Sequence, residues 1–258
     1  FVLKNNNPCE NFNMKIKSEP DDNWIGINQK WFYNNGCRSL STNPLVKKIL
    51  DKIDNTTASK LSENFYTGVG FITDKNLISA EKCSPQQLKI VTGRDISSKG
   101  IKKHRYFDFT KENLKGGTSN ISILSKKPKI LLRKTGNRLI SCVDYKGLLP
   151  EQSLYFIICK SNSKNHLNWL NILLNSNIMS FYYLNKAITN INSTPQIKKR
   201  DLDSLPILFP KTLFPSDRVV NPSGLQSRLN RLTESKIAGF YKLTVKEMEF
   251  IDKFLKDN

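Results

Sequence analysis

The stretch Leu154-Tyr155-Phe156-Ile157-Ile158-Cys159 is apolar at every position. Successive side chains of a strand point to opposite faces, so a run without polar alternation needs cover on both sides and predicts a central strand. Between Phe65 and Asp144, short β-like runs alternate with turn residues: Gly68-Val-Gly-Phe-Ile, Leu88-Lys-Ile-Val, Tyr106-Phe-Asp-Phe, Lys129-Ile-Leu-Leu-Arg and Arg138-Leu-Ile-Ser-Cys-Val. The clearest hairpin joins the run from Ile130 to Lys134 to the run from Leu139 to Val143 through Thr135-Gly136-Asn137. Gly and Asn tolerate the positive φ that tight turns need. Its rim is basic, with Arg133, Lys134 and Arg138. These runs predict a mixed, mainly antiparallel sheet with packed helices, an α+β fold.

Thr42-Asn43-Pro44 supplies a cap and a proline at the first helical position, followed by Leu45, Val46, Ile49, Leu50 and Ile53 at helical spacing. The spacing predicts an amphipathic helix ending near Lys60. The apolar region from Leu167 to Leu184 contains Asn168, Asn171, Asn175 and Asn177, whose amides are costly in hydrocarbon, so it reads as a core helix rather than a membrane span. Thr194-Pro195 starts a short helix carrying Lys198, Lys199 and Arg200, which stops before Leu205-Pro206-Ile207. Asn221-Pro222 opens a helix with Leu225, Leu229 and Leu232 on one face. Thr244-x-x-Glu247 is a capping box before Met248, Ile251, Phe254 and Leu255. The chain thus divides into an extension over 1–41, with a strand or two around Trp24, Ile25, Ile27, Trp31 and Phe32, a body over 42–210, and a C-terminal helical segment over 211–258.

Charge points to the partner. Lys and Arg total 41 against 22 Asp and Glu in 258 residues, a net charge of +19, which favours a polyanion. Five scattered cysteines without a C-x-x-C pair, and only two histidines, suggest neither a zinc site nor a disulfide framework. Cys142 and Cys159 fall in apolar runs and are expected to be buried. Phe1-Val2-Leu3-Lys4-Asn5 lacks the features of a signal peptide. With no Met at position 1, the chain is expected to be a fragment of a longer, cytoplasmic protein.

Catalytic constellations are harder to find. Gly68-Val69-Gly70 lacks a third glycine, and no G-x-x-x-x-G-K-[ST] occurs. Lys115-Gly116-Gly117-Thr118 reads as a plain turn or a DNA contact. Glu19, Asp21 and Asp22 cluster in a loop-like stretch around Pro20 and read as solvated charge. His104 lies in Lys102-Lys103-His104-Arg105-Tyr106, where a DNA or surface role is expected, and His166 lies at a helix start. Asp144-Tyr145-Lys146 is the nearest fragment to a magnesium-dependent nuclease site, and it is expected to end the hairpin strand. Strong basicity without catalytic groups favours binding over chemistry.

The segments Lys129-Ile-Leu-Leu-Arg-Lys-Thr-Gly-Asn-Arg-Leu-Ile, Gln152-Ser-Leu-Tyr, Leu170-Asn-Ile-Leu-Leu-Asn-Ser-Asn and Thr194-Pro-Gln-Ile-Lys-Lys-Arg-Asp-Leu-Asp-Ser-Leu-Pro-Ile occur in an order that resembles the TaqI-like C-terminal specificity domain. Gly68-Val69-Gly70 with Val91-Thr-Gly-Arg-Asp-Ile, and Phe240-Tyr-Lys-Leu-Thr-Val-Lys-Glu-Met, extend the likeness to roughly residues 45–255. The resemblance implies a DNA target recognition domain over 42–210, with 1–41 arriving from a preceding domain. It implies a restriction-modification parent whose adenine-N6 methyltransferase domain or subunit uses S-adenosylmethionine, in many type II members with a nuclease. This chain lacks the Asn-Pro-Pro-Tyr motif and the glycine-rich cofactor loop, and Asn7-Pro8-Cys9 is no substitute. The expected roles are therefore binding of double-stranded DNA, no cofactor, metal or catalytic residue in the chain itself, and no membrane. Candidate DNA contacts are Arg94, Lys102, Lys103, Arg105, Arg133, Lys134, Arg138, Gln196, Lys198, Lys199 and Arg200. Asn190 and Gln196 are candidates for reading bases and equally for capping or turn roles. The rival reading is a small standalone nucleic-acid enzyme such as a nuclease; a subunit completing a separate methyltransferase chain overlaps with the first.

Overall fold

A computed structural model of the chain describes residues 13–16, 25–28, 43–57, 59–186, 195–214 and 222–257. Leu154–Cys159 occupies an inner position of a four-stranded antiparallel sheet. Its neighbours are Lys129–Arg133 on one side and Phe65–Val69 on the other, with Ser141–Asp144 at the edge beyond Lys129–Arg133. The pleat sorts its residues into two cores. Leu154, Phe156 and Ile158 join Leu131 and Cys142 against Phe71, Ile90, Val91, Ile96 and Phe107. Tyr155, Ile157 and Cys159 join Ile130, Leu132 and Phe65 against the helices. Apolarity on both faces thus has its cause: one face meets more β-structure and the other meets helices.

Close approach at the sheet requires a glycine at Gly68, which pairs with Phe156. A Cβ there would lie 2.2 Å from the Phe156 ring. Beneath this sheet lies a smaller one, in which Leu88–Val91 pairs antiparallel with Arg105–Phe107 and parallel with Leu149–Pro150. The sheets are therefore mixed and mainly antiparallel. Asn13–Ile16 pairs with Ile25–Asn28 in the N-terminal extension; Trp24, Trp31 and Phe32 lie outside the described residues.

The first helix is Pro44–Thr56, started by the Asn43 side chain, which accepts from Leu45 N at 2.9 Å. Val46, Ile49, Leu50 and Ile53 form its buried stripe. It stops short of Lys60 because Ser59–Lys60 is taken up as a strand against Pro206–Ile207. The region 167–184 is two helices rather than one, Lys164–Leu174 and Asn177–Lys186. The break falls at Asn175-Ser176, and side-chain chemistry explains it. Asn175 turns its amide to Ser141, accepting from Ser141 N and donating to Ser141 O, each at 3.0 Å, which satisfies the exposed edge of the outer strand. Ser176 Oγ accepts from Met179 N at 3.2 Å to start the next helix.

At the C-terminus, Pro222–Leu229, Glu234–Phe240 and Val245–Asp257 are helical. Leu225, Leu229, Ile237, Ile251 and Leu255 share the core of the first helix. The Thr244 and Glu247 capping box closes in both directions, with Thr244 N donating to Glu247 at 2.8 Å and Glu247 N to Thr244 Oγ1 at 3.3 Å. Glu247 also binds Lys52 at 2.7 Å, tying the last helix to the first.

Candidate nucleic-acid interface

The short turn Gly93–Asp95 is fixed from several directions. Asp95, fully buried, accepts from Thr92 N at 3.0 Å and Thr92 Oγ1 at 2.7 Å, and pairs with Arg105 Nε at 2.9 Å. Burial alone would raise the Asp95 carboxyl, but the hydrogen bonds from Thr92 and Arg105 outweigh it and hold the group below its ordinary pKa. From the hairpin, Arg133 Nε donates to Gly93 O at 2.9 Å and its Nη2 to Ile96 O at 3.0 Å. From the loop before the central strand, Ser153 Oγ accepts from Gly93 N at 2.7 Å and donates to Glu151 at 2.5 Å.

Opposite this turn is the hairpin tip, where the segment beginning at Pro195 adds an edge: Gly136 N donates to Pro195 O and Ile197 N to Lys134 O, with Thr135 bridged to Gln196. Gln196 therefore sits on an extended segment, and the expected helix at Pro195 starts later, at Lys199–Asp203. The carbonyls and amides of 195–197 are drawn to the hairpin rather than to a helical turn.

Turn, hairpin and loop enclose a cleft of about 830 Å³ whose polar lining includes Arg94, Arg105, Arg133, Lys134, Gln152 and Gln196. Five of the residues singled out from sequence meet here. Lys134 also lies over the Tyr155 ring, 5.3 Å from its centroid. The others lie elsewhere. Arg138 turns to the helices, donating to Asn177 Oδ1 at 3.0 Å and to Leu255 O at 3.4 Å. Lys102, Lys103 and Lys198 are exposed outside the cleft. Lys199 pairs with Asp203 at 2.6 Å, and Arg200 lies 3.9 Å from Asp201. Asn190 lies outside the described residues. Sequence reasoning gave no role to Lys75 and Gln152, which also line the cleft. Gln152 stood in a family-like segment; nothing in the local pattern marks Lys75.

The groups weighed for chemistry have structural occupations. Asp144 is buried with Lys129 at 2.6 Å and also accepts from the amides of Lys146, Gly147 and Leu148. Gly116–Gly117 pairs with Phe71–Ile72, and a Cβ on Gly117 would lie 2.3 Å from Gly70 O. Cys142 and Cys159 are buried. Glu19, Asp21, Asp22 and Cys9 lie outside the described residues. Among the described residues, no three His, Cys, Asp or Glu side chains gather as metal ligands, and no helix is long and apolar enough to cross a membrane.

RM.MjaORFECS2P of Methanocaldococcus jannaschii, described as a type II restriction enzyme and methyltransferase, is 26% identical over 203 residues, covering 75% of this chain and 17% of that protein. The type IIG restriction endonuclease BpuSI shares the fold with a TM-score of 0.50 at 9% identity, over 81% of this chain and 31% of its own. The HsdS subunit from Thermoanaerobacter tengcongensis aligns with a TM-score of 0.40 at 11% identity, over 83% of this chain and 49% of its own. The chain thus spans only a minor part of the relatives it matches. The profile of the TaqI-like C-terminal specificity domain matches residues 88–207, which hold the turn, the hairpin, the central strand and the extended segment that enclose the cleft. Over these residues the chain is similar to the TaqI-like C-terminal specificity domain family.

Proposed function

We propose that this chain is the sequence-reading domain of a restriction-modification adenine-N6 DNA methyltransferase, acting on double-stranded DNA beside a methyltransferase domain or subunit outside these residues. The observation that carries the reading is the cleft: the family-matching segment brings Arg94, Lys134 and Gln196 together around it in a chain of net charge +19. Cations neutralise phosphates and hold register, while guanidinium and amide groups can reach base edges. An enzyme that extrudes an adenine needs a second surface to hold the duplex meanwhile. S-adenosylmethionine belongs, in this reading, to the catalytic domain. The nearest glycine-rich stretch here does not fit it, since Gly68 is packed beneath Phe156 and Gly70 against Pro150 and Glu151. No methyl-transfer step is assigned to these residues.

Fluorescence anisotropy of labelled duplex DNA tests the reading. Affinity is expected to fall on the order of 10³-fold between 50 and 200 mM salt if ~6 or more phosphates are contacted. A nearly flat response contradicts DNA as the ligand. Calorimetry and a methyl-transfer assay on the chain alone should give neither cofactor binding nor methylation; micromolar binding of S-adenosylmethionine overturns the division of labour.

A further inference from the structure

We propose that Arg94 is the specificity-determining side chain of this cleft, and that Arg133 and Ser153 are positioning residues that aim it. The inference rests on the DNA-reading function above. Three arginines line the cleft, and two are already engaged: Arg105 with Asp95, and Arg133 with the carbonyls of Gly93 and Ile96. Arg94 is exposed, and among the described residues its guanidinium has neither hydrogen bond nor ion pair. It projects from the middle of the Gly93–Asp95 turn, whose backbone is held by Asp95 and Thr92 from within, by Arg133 from the hairpin, and by Ser153 from the loop.

Such bracing matches base reading better than charge neutralisation. A phosphate contact tolerates a mobile cation, and Lys102 and Lys103 nearby are exposed side chains suited to that. Bidentate recognition of guanine O6 and N7 needs a guanidinium carried from a defined origin, and the braced turn fixes the Arg94 backbone while its unpaired side chain stays available to a base edge. The cleft also contains the buried carboxylate of Glu151, which holds Ser153. Gln152 and Gln196, which share the cleft, add amides of the type that pair with adenine.

The test uses the full-length protein that carries this chain. A site is first selected by the unsubstituted protein from a duplex library with a randomised centre. Arg94→Ala, Arg94→Lys, Ser153→Ala and Lys253→Ala are then compared on that duplex and on each of its single-base substitutions. Arg94→Ala should lose about 5- to 150-fold of discrimination at one base pair or two adjacent ones, with preferences elsewhere retained. Arg94→Lys, which keeps the charge, should recover affinity but not that preference, and it serves if the alanine variant is poorly folded. Ser153→Ala should blur the same position and no other, which general loosening would not do. Lys253→Ala should match the parent. Uniform weakening on every duplex by Arg94→Ala makes Arg94 a phosphate contact and overturns the proposal, as does unchanged discrimination. Blurring by Ser153→Ala elsewhere overturns the positioning role. If the unsubstituted protein selects no site, the DNA-reading function itself fails, and this inference with it.

Discussion

Removing the Arg133 guanidinium should destabilise the protein whether or not DNA is present. Its Nε and Nη2 donate to Gly93 O at 2.9 Å and Ile96 O at 3.0 Å, and it is half-buried. Hydrogen bonds to a charged partner contribute about 1.5–3 kcal/mol each. The two share one side chain, and the released carbonyls regain some water through the cleft, so Arg133→Ala is expected to cost about 2–4 kcal/mol. For a chain of this size that corresponds to a fall of roughly 4–16 °C in unfolding midpoint. Arg133→Lys, which can reach only one carbonyl at a time, should fall between. Thermal unfolding followed by circular dichroism, repeated in urea, reads both variants. A loss below about 0.5 kcal/mol, the range of ordinary surface substitutions, refutes the reasoning and leaves this arginine as a surface cation of the hairpin.

Gly68→Ala should cost on the order of 1–3 kcal/mol or prevent folding, since its methyl would lie 2.2 Å from the Phe156 ring; an unchanged midpoint contradicts the packing described. Burial raises the Glu247 carboxyl, but hydrogen bonds from Lys52 and Thr244 outweigh it and bring it from its ordinary 4.5 to about 2. Because its folded pKa is the lower one, its contribution is full above about 4.5 and drains as pH falls toward 2. Glu247→Gln should therefore lose about 1–3 kcal/mol at neutral pH and flatten the acid limb of a stability-against-pH curve, while an unaltered limb counts against the link between the first and last helices. Lys134→Ala should weaken binding evenly across DNA sequences and lower the salt slope by about 1; a sequence-selective loss would make it a base contact instead.

Elements governed by local chemistry were legible in the sequence. The Asn43-Pro44 start, the Thr244 and Glu247 box and the doubly apolar strand each depend on residues close in the chain, and each forms as its pattern predicts. The hairpin pairs as expected, but its strands are Lys129–Arg133 and Ser141–Asp144, so the connection is longer than the tight Thr135-Gly136-Asn137 turn, and only Gly136 takes a positive φ. What escaped depends on partners far apart. The break at Asn175 exists because Ser141 has edge groups to satisfy, and no helical periodicity carries that information. Gln196 lies on an extended segment because the hairpin tip offers Thr135 as a bridge. The candidate site was legible as a set of basic residues but not as a division of labour. Arg94, Arg105 and Arg133 look alike in sequence. Only the fold shows that one is paired with Asp95, one bonded to carbonyls and one turned outward.

The central claim is that this chain reads sequence rather than merely attracting polyanions, and competition binding tests it most directly. The full-length protein is bound to a labelled duplex containing its selected site, at physiological salt, and displaced by unlabelled duplexes of the same length and composition. The account predicts that a duplex with the site scrambled competes about 10³-fold less well than the site itself. Equal displacement by the two would contradict it, leaving a basic surface that binds DNA without reading it.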